Sequence, residues 1–229
     1  FGYVAEFMYG TDVPLAERRA SVLSLDDALL ADLLGQVDMG ELLDAAVVDQ
    51  VDAELQRLAP ARRAKGREGV ADLLRELGPL ALPEVARRLV DNDAALDHLQ
   101  ALEGEHRALR VTLAGSERWA AGEDATRLRD ALGIVLPTLP PHAVLPPSTD
   151  PLGDLLARYA RTHRPFTTAQ VATAFGVGVV VADAALDQLQ AQGKVLRGSF
   201  GLARDGEERP DPVPASLPLA RHEWVGEDV

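Results

Sequence analysis

Apolar positions recur at helical spacing over most of the chain and alternate over two short stretches. From Leu15 to Leu58 the pattern predicts helices: one after Pro14, a second from Asp26 or Asp27 to Leu34, a short third at Gly40–Leu43 and a fourth over Asp44–Leu58. PARRAKGREG at 60–69 is basic and poor in apolar residues, and reads as a connection or a frayed helix. Helices follow at Val70–Leu77, from Leu82-Pro83-Glu84 with Val85, Leu89 and Val90 inward, and at Asp93–Leu102 with Ala95, Leu96, Leu99 and Leu102 on one face. Arg107–Leu113 then alternates, Ala114-Gly115-Ser116 turns, Glu117–Ala120 returns as a strand and Glu123–Leu132 resumes as helix. Three helices and a hairpin predict a winged helix-turn-helix.

A proline-rich stretch, IVLPTLPPHAVLPPSTDP at 134–151, reads as a semi-extended linker. The pattern then restarts: helices at Leu152–Arg161, after an N-cap at Thr167 or Thr168, and at Val179–Gln192 closed by Gly193, then a strand at Lys194–Phe200. AALDHLQ at 94–100 pairs with AALDQLQ at 184–190, Trp119 with Trp224, and Gly122-Glu123-Asp124 with Gly226-Glu227-Asp228, which predicts an internal duplication. The extra length of the second copy falls in a polar, proline-rich wing tip before Leu219. The expected division is a helical segment at 1–59, a first winged helix at 60–133, a linker at 134–150 and a second winged helix at 151–229. The fold class is mostly α (α+β), with small β wings. The start reads as mid-protein and the end falls where a closing helix is due, so the chain is expected to be a fragment.

Charge changes this picture only in its distribution. The net charge is −13, but residues 1–59 carry three Arg against twelve Asp and Glu, whereas 60–135 and 136–202 are nearly balanced. The acidity lies in the flanks, so nucleic acid is not excluded for the winged helices. Lys65 and Lys194 are the only lysines among 23 basic residues, a bias expected of a GC-rich bacterial genome. Cysteine is absent and no apolar run is long enough for a membrane span, which fits a cytoplasmic protein without membrane contact.

No phosphate-binding loop, G-x-S-x-G elbow or H-E-x-x-H motif is present, and the five histidines (98, 106, 142, 163 and 222) are dispersed. No catalytic residue, metal site or bound cofactor is expected. Gln188-Leu189-Gln190 is faintly similar to the glutamine-rich motif of a winged-helix DNA glycosylase family, but its counterpart by repeat, His98-Leu99-Gln100, points to scaffold. The third helices carry Asp97, Asp183 and Asp187, which phosphates would repel, so they are expected to pack on protein. The wings are the candidate nucleic-acid surface: Arg107, Arg110, Arg118 and Trp119 on the first, Lys194 and Arg197 on the second. Trp119 could stack on a base; equally, its recurrence as Trp224 suggests two anchors pinning wings onto cores. Burial of the rings decides between these.

FGYVAEFMYGTDVPLAERRASVLSLDDALLADLLG strongly resembles a signature segment of the large helicase-related proteins (Lhr), bacterial superfamily-two DNA helicases. GVADLLRELGPL, SERWAAGEDATRLRDALG and DPLGDLLARYARTH follow in the family's order, so the resemblance covers essentially the whole chain. It implies ATPase lobes before Phe1, using ATP and Mg, further protein after Val229, and 3′-to-5′ tracking on single-stranded DNA with unwinding of DNA or RNA–DNA duplexes in DNA repair. It also implies that residues 1–58 end the winged-helix domain after the motor, and that Trp119 stacks on the tracking strand. On that reading the fragment is a DNA-binding accessory region. The competing readings are a scaffold docking the motor and a C-terminal domain, and a base-excision module, which would need a convergent pocket.

Overall fold

A computed structural model describes residues 44–137, 147–198, 200 and 223–227. The helices expected between Leu15 and Leu43, the centre of the linker, the wing tip at 201–222, His142 and His222 lie outside the described residues. Helix α1 (Ala45–Leu55) begins where Asp44 caps it, the carboxylate accepting from the Ala46 N–H at 2.9 Å. A 3-10 turn at Pro60–Arg62 leads into α2 (Gly66–Leu77), so part of the basic 60–69 stretch is helical. Then come α3 (Leu82–Ala86), α4 (Ala95–Gly104), the hairpin β1 (Ala108–Leu113) and β2 (Ser116–Ala121), and α5 (Ala125–Leu132). The second unit comprises α6 (Pro151–Thr162), β3 (Phe166–Thr167), α7 (Thr168–Phe175), α8 (Val179–Ala191), β4 (Val195–Gly198) and β5 (Glu223–Gly226).

Both units are mostly helical winged helices. In the second, the sheet order is β3-β5-β4, all antiparallel. In the first, Leu80 takes the place of β3, exchanging N–H···O bonds of 2.8 and 2.7 Å with Trp119. The two units share this architecture, but their structural register differs from the sequence pairing. Arg107 donates its N–H to the Leu102 carbonyl and Lys194 donates to that of Leu189; the Arg107 and Lys194 carbonyls accept from Gly122 and Glu227. These bonds make Arg107 the counterpart of Lys194, which slides the third helices by three residues from the AALD alignment. The buried positions follow: Ala95, Leu99 and Leu102 match Ala182, Leu186 and Leu189. Three residues are nearly one helical turn, so apolar spacing cannot tell the registers apart. Leu96 and Val90, expected inward, are exposed; α3 ends at Ala86, so Val90 lies beyond the helical face that buries Val85.

At the wing junction the tryptophans match but Gly122 and Gly226 do not, since Ala108 pairs with Ala121 and Val195 with Gly226. Each glycine has its own cause. A Cβ on Gly122 would collide with the His106 carbonyl oxygen, and one on Gly226 would come within 2.8 Å of that of Ala160.

Two cores result. Val70, Leu74, Leu77, Val85, Leu89 and Leu99 close the first unit together with Trp119. The other face of the first hairpin, Leu109, Val111, Leu113 and Ala120, joins α5 and the entire interior of the second unit. The first hairpin is therefore covered by apolar side chains along one face and, near its base at Ala108, Trp119 and Ala121, on the other, where Arg110, Thr112 and Glu117 stay exposed.

Candidate functional site

The Trp119 ring is 3% exposed and the Trp224 ring 0%. Each sits on the returning strand opposite an arginine of the outgoing strand, in registers Arg110–Trp119 and Arg197–Trp224. Each guanidinium lies over its ring, 5.3 Å and 5.1 Å from the centroid, where the negative face of the ring attracts it. The anchoring reading of the two rings is the one the burial matches. Trp224 also spends its indole N–H on Thr168 Oγ1 at 3.0 Å, and that hydroxyl donates to Asp183 at 3.2 Å.

The candidate cations are largely committed to carboxylates. Arg107 reaches Glu68 with two bonds of 2.6 and 2.8 Å, and that hydrogen bonding holds the guanidinium above its ordinary pKa and the Glu68 carboxyl below its own. Arg110 grips Glu103 at 2.9 and 3.2 Å, with the same upward effect on its guanidinium. Arg118 donates to Glu84 at 2.8 Å, and Glu84 in turn caps α3 by accepting from the Ala81 N–H. Arg197 meets Asp187 at 3.5 Å. Lys194 is exposed and has no carboxylate partner among the described residues. Asp183 and Asp187, read as repelling phosphate, thus brace Trp224 and Arg197.

A second polar constellation ties the units together, and the sequence reading missed it. The Asp124 carboxylate, 2% exposed, accepts from Arg127 and, at 2.6 Å, from Arg158 of α6. Arg127 also faces Asp154 at 3.4 Å. Gly78, at φ 87°, leaves room for Arg158, whose NH2 would be 3.1 Å from a Cβ there. Buried Arg88 donates to the Gln56 carbonyl, the Gln56 side-chain oxygen and the Glu84 carbonyl at 2.6–2.9 Å; burial lowers its pKa to about 10. Gln56 passes the chain on to the Thr162 carbonyl at 2.6 Å, and Arg164 grips Asp49 at 2.8 Å. So α1, the first unit and the second unit are bonded pairwise. The only sequence-level signal was a run of arginines and acids with no motif.

Two clefts open along this junction. One, of about 580 Å³, is lined by Arg57, Arg62, Arg75, Arg158 and Arg161 against Glu54 and Glu76. The other, of about 400 Å³, shares Arg75, Arg158 and Arg161 and adds Arg127 and Lys194, faced by Glu123, Asp124, Asp154 and Glu227. Gln188 and Gln190 are exposed and line neither.

Residues 41–147 match the winged-helix domain of large helicase-related proteins. Over 209 residues, 91% of the chain, the sequence is 51% identical to a Mycolicibacterium smegmatis protein named Lhr helicase/probable uracil glycosylase. Over 197 residues, 86% of the chain, it is 52% identical to the Escherichia coli Lhr helicase/uracil glycosylase. The chain belongs to the large helicase-related family. It spans 14% and 13% of the length of those relatives. In this chain no single described helix is long and apolar enough to cross a membrane.

Proposed function

We propose that this region serves an ATP-dependent 3′-to-5′ DNA helicase as a rigid accessory block beside the tracking single strand, with residues 60–133 and 151–229 as its two winged-helix modules. ATP and Mg would be used by lobes outside these residues, and DNA or RNA–DNA duplex would be the substrate of the whole. The observation that carries the block reading is the burial of both tryptophans, each roofed by an arginine that a carboxylate holds. Trp119 then works from inside, by fixing the first hairpin between two cores.

A second reading, direct strand contact by the first wing, has one observation in its favour: the Arg110 side chain is 52% exposed above Trp119. Fluorescence anisotropy of a labelled 3′-tailed duplex at two salt concentrations separates the two. The block reading expects Arg110→Glu and Trp119→Phe to bind within about twofold of wild type. A roughly tenfold loss for Arg110→Glu would move the strand onto the wing, since phosphate binding responds to charge reversal. The relatives' name for a uracil glycosylase transfers no catalytic residue here, because the glutamines of α8 meet no convergent pocket among the described clefts.

A further inference from the structure

Most described arginines of this chain are bound to a carboxylate, and Arg63 and Arg88 donate to backbone carbonyls. Among the described residues Lys65, Arg161 and Lys194 have no such partner. Two of these three line the junction clefts, and Arg161 lines both. The larger cleft is the positive end: it presents five guanidinium groups against two carboxylates in a chain of net charge −13. Glu54 pairs with Arg62 and Glu76 with Arg57. Asp72, Glu123 and Asp124 hold Arg75 and Arg158 from outside the lining, so four of the five guanidinium groups are paired and Arg161 is the one in this cleft without a carboxylate among the described residues.

We propose that the larger cleft binds phosphodiester groups of a single strand, with Arg161, which lines both clefts, as the guanidinium that engages phosphate and Lys194, on the adjoining smaller cleft, as the second cation of the path. This rests on the helicase reading and deepens it by moving the strand from the wings to the junction. A guanidinium is planar, always charged and forked, and it suits phosphate oxygens better than any other side chain. Arg161 is at the last turn of α6, is exposed, and breaks no internal bond on swinging to a ligand. The wing arginines would first have to give up Glu68, Glu103, Glu84 or Asp187. The cleft also draws its walls from α1, α2 and α6, so it exists only in the assembled block.

The test is anisotropy of a labelled oligo-dT with the full 229-residue chain over a salt series. Wild type is compared with Arg161→Gln, with Arg161→Gln/Lys194→Gln, and with a charge-matched control, Arg110→Gln/Arg197→Gln. For a single strand, every phosphate that is no longer neutralised lowers the slope of log K against log salt by about 0.7. The expected result is about three- to tenfold weaker binding for Arg161→Gln, a slope reduced by about 1.4 for the junction double, and little change for the control. All these side chains are exposed or paired at the surface, and an unchanged melting curve confirms that each variant folds. Binding indifferent to the junction pair, or weakened equally by the control, overturns the cleft while leaving the accessory role intact. No salt-dependent binding by the folded wild-type chain overturns the cleft and removes the strand from the proposed role as well.

Discussion

The two winged helices share one architecture and solve one problem with different polar chemistry. Both seat a tryptophan of the returning strand under an arginine of the outgoing strand. In the first unit the arginine is tied to Glu103, near the end of α4; in the second it is tied to Asp187, about one turn earlier by structural register. In the first unit the left-handed corner before the strand is His106, at φ 58°, and in the second it is Gly193, at φ 72°. The residue that follows is Arg107, locked onto Glu68, in one copy and Lys194, without an acidic partner among the described residues, in the other. The apolar anchor is the shared part. The charges around it diverged, and they decide which surface is left for a ligand.

The sharpest way to break the comparison is through the anchors. Trp→Ala in a core costs about 3–5 kcal/mol. Trp224→Ala is expected at the top of that range, because it opens the core shared by both units and strips Thr168 of its indole partner. Trp119→Ala should cost less, since its cavity lies in the core of the first unit alone. Urea unfolding of the two variants measures this. Equal losses would mean that the shared core does not distinguish the copies.

The junction comes next. Asp124→Asn leaves Arg158, only 13% exposed, without the charge it was folded around, and removing one partner of a buried pair costs about 3 kcal/mol or more. Because Arg127 at 32% exposure can turn to solvent, we expect the lower end. Adding Arg158→Met should restore most of the loss, since the second charge is then gone. Strictly additive losses in that double-mutant cycle would show that the ion pair does not couple the units.

How much of this was legible follows from what periodicity can see. Leu109, Val111 and Leu113 alternate plainly, so the strand was readable; that their face belongs to the other unit's core was not, because alternation marks a buried face and not what covers it. The AALD match hid the true register for the reason that a three-residue slip nearly preserves a helical face. The wing arginines were found as basic residues, but their partners Glu68, Glu84 and Glu103 lie 7 to 39 positions away, beyond any local rule. Arg161 carried no signal at all, since an unpaired arginine looks like a paired one until the partners are placed.

The smallest effect expected also tests the divergence most directly. Glu68, hydrogen-bonded to Arg107, has its folded pKa below its ordinary value of 4.5. The unfolded chain therefore binds a proton more readily than the folded one. The stabilisation from this pair is present above the unfolded pKa and is lost as pH falls through the folded one. Both groups are exposed, so salt screens the pair and the effect is small. Arg107→Gln should flatten the acid limb of stability against pH slightly, whereas Lys194→Gln, at the matching position of the other copy, should leave that limb unchanged. Urea midpoints from pH 7 to pH 3 measure both. A limb flattened equally by Lys194→Gln would mean that Lys194 has an acidic partner in solution, and the junction clefts would then lose one of their two unpaired cations.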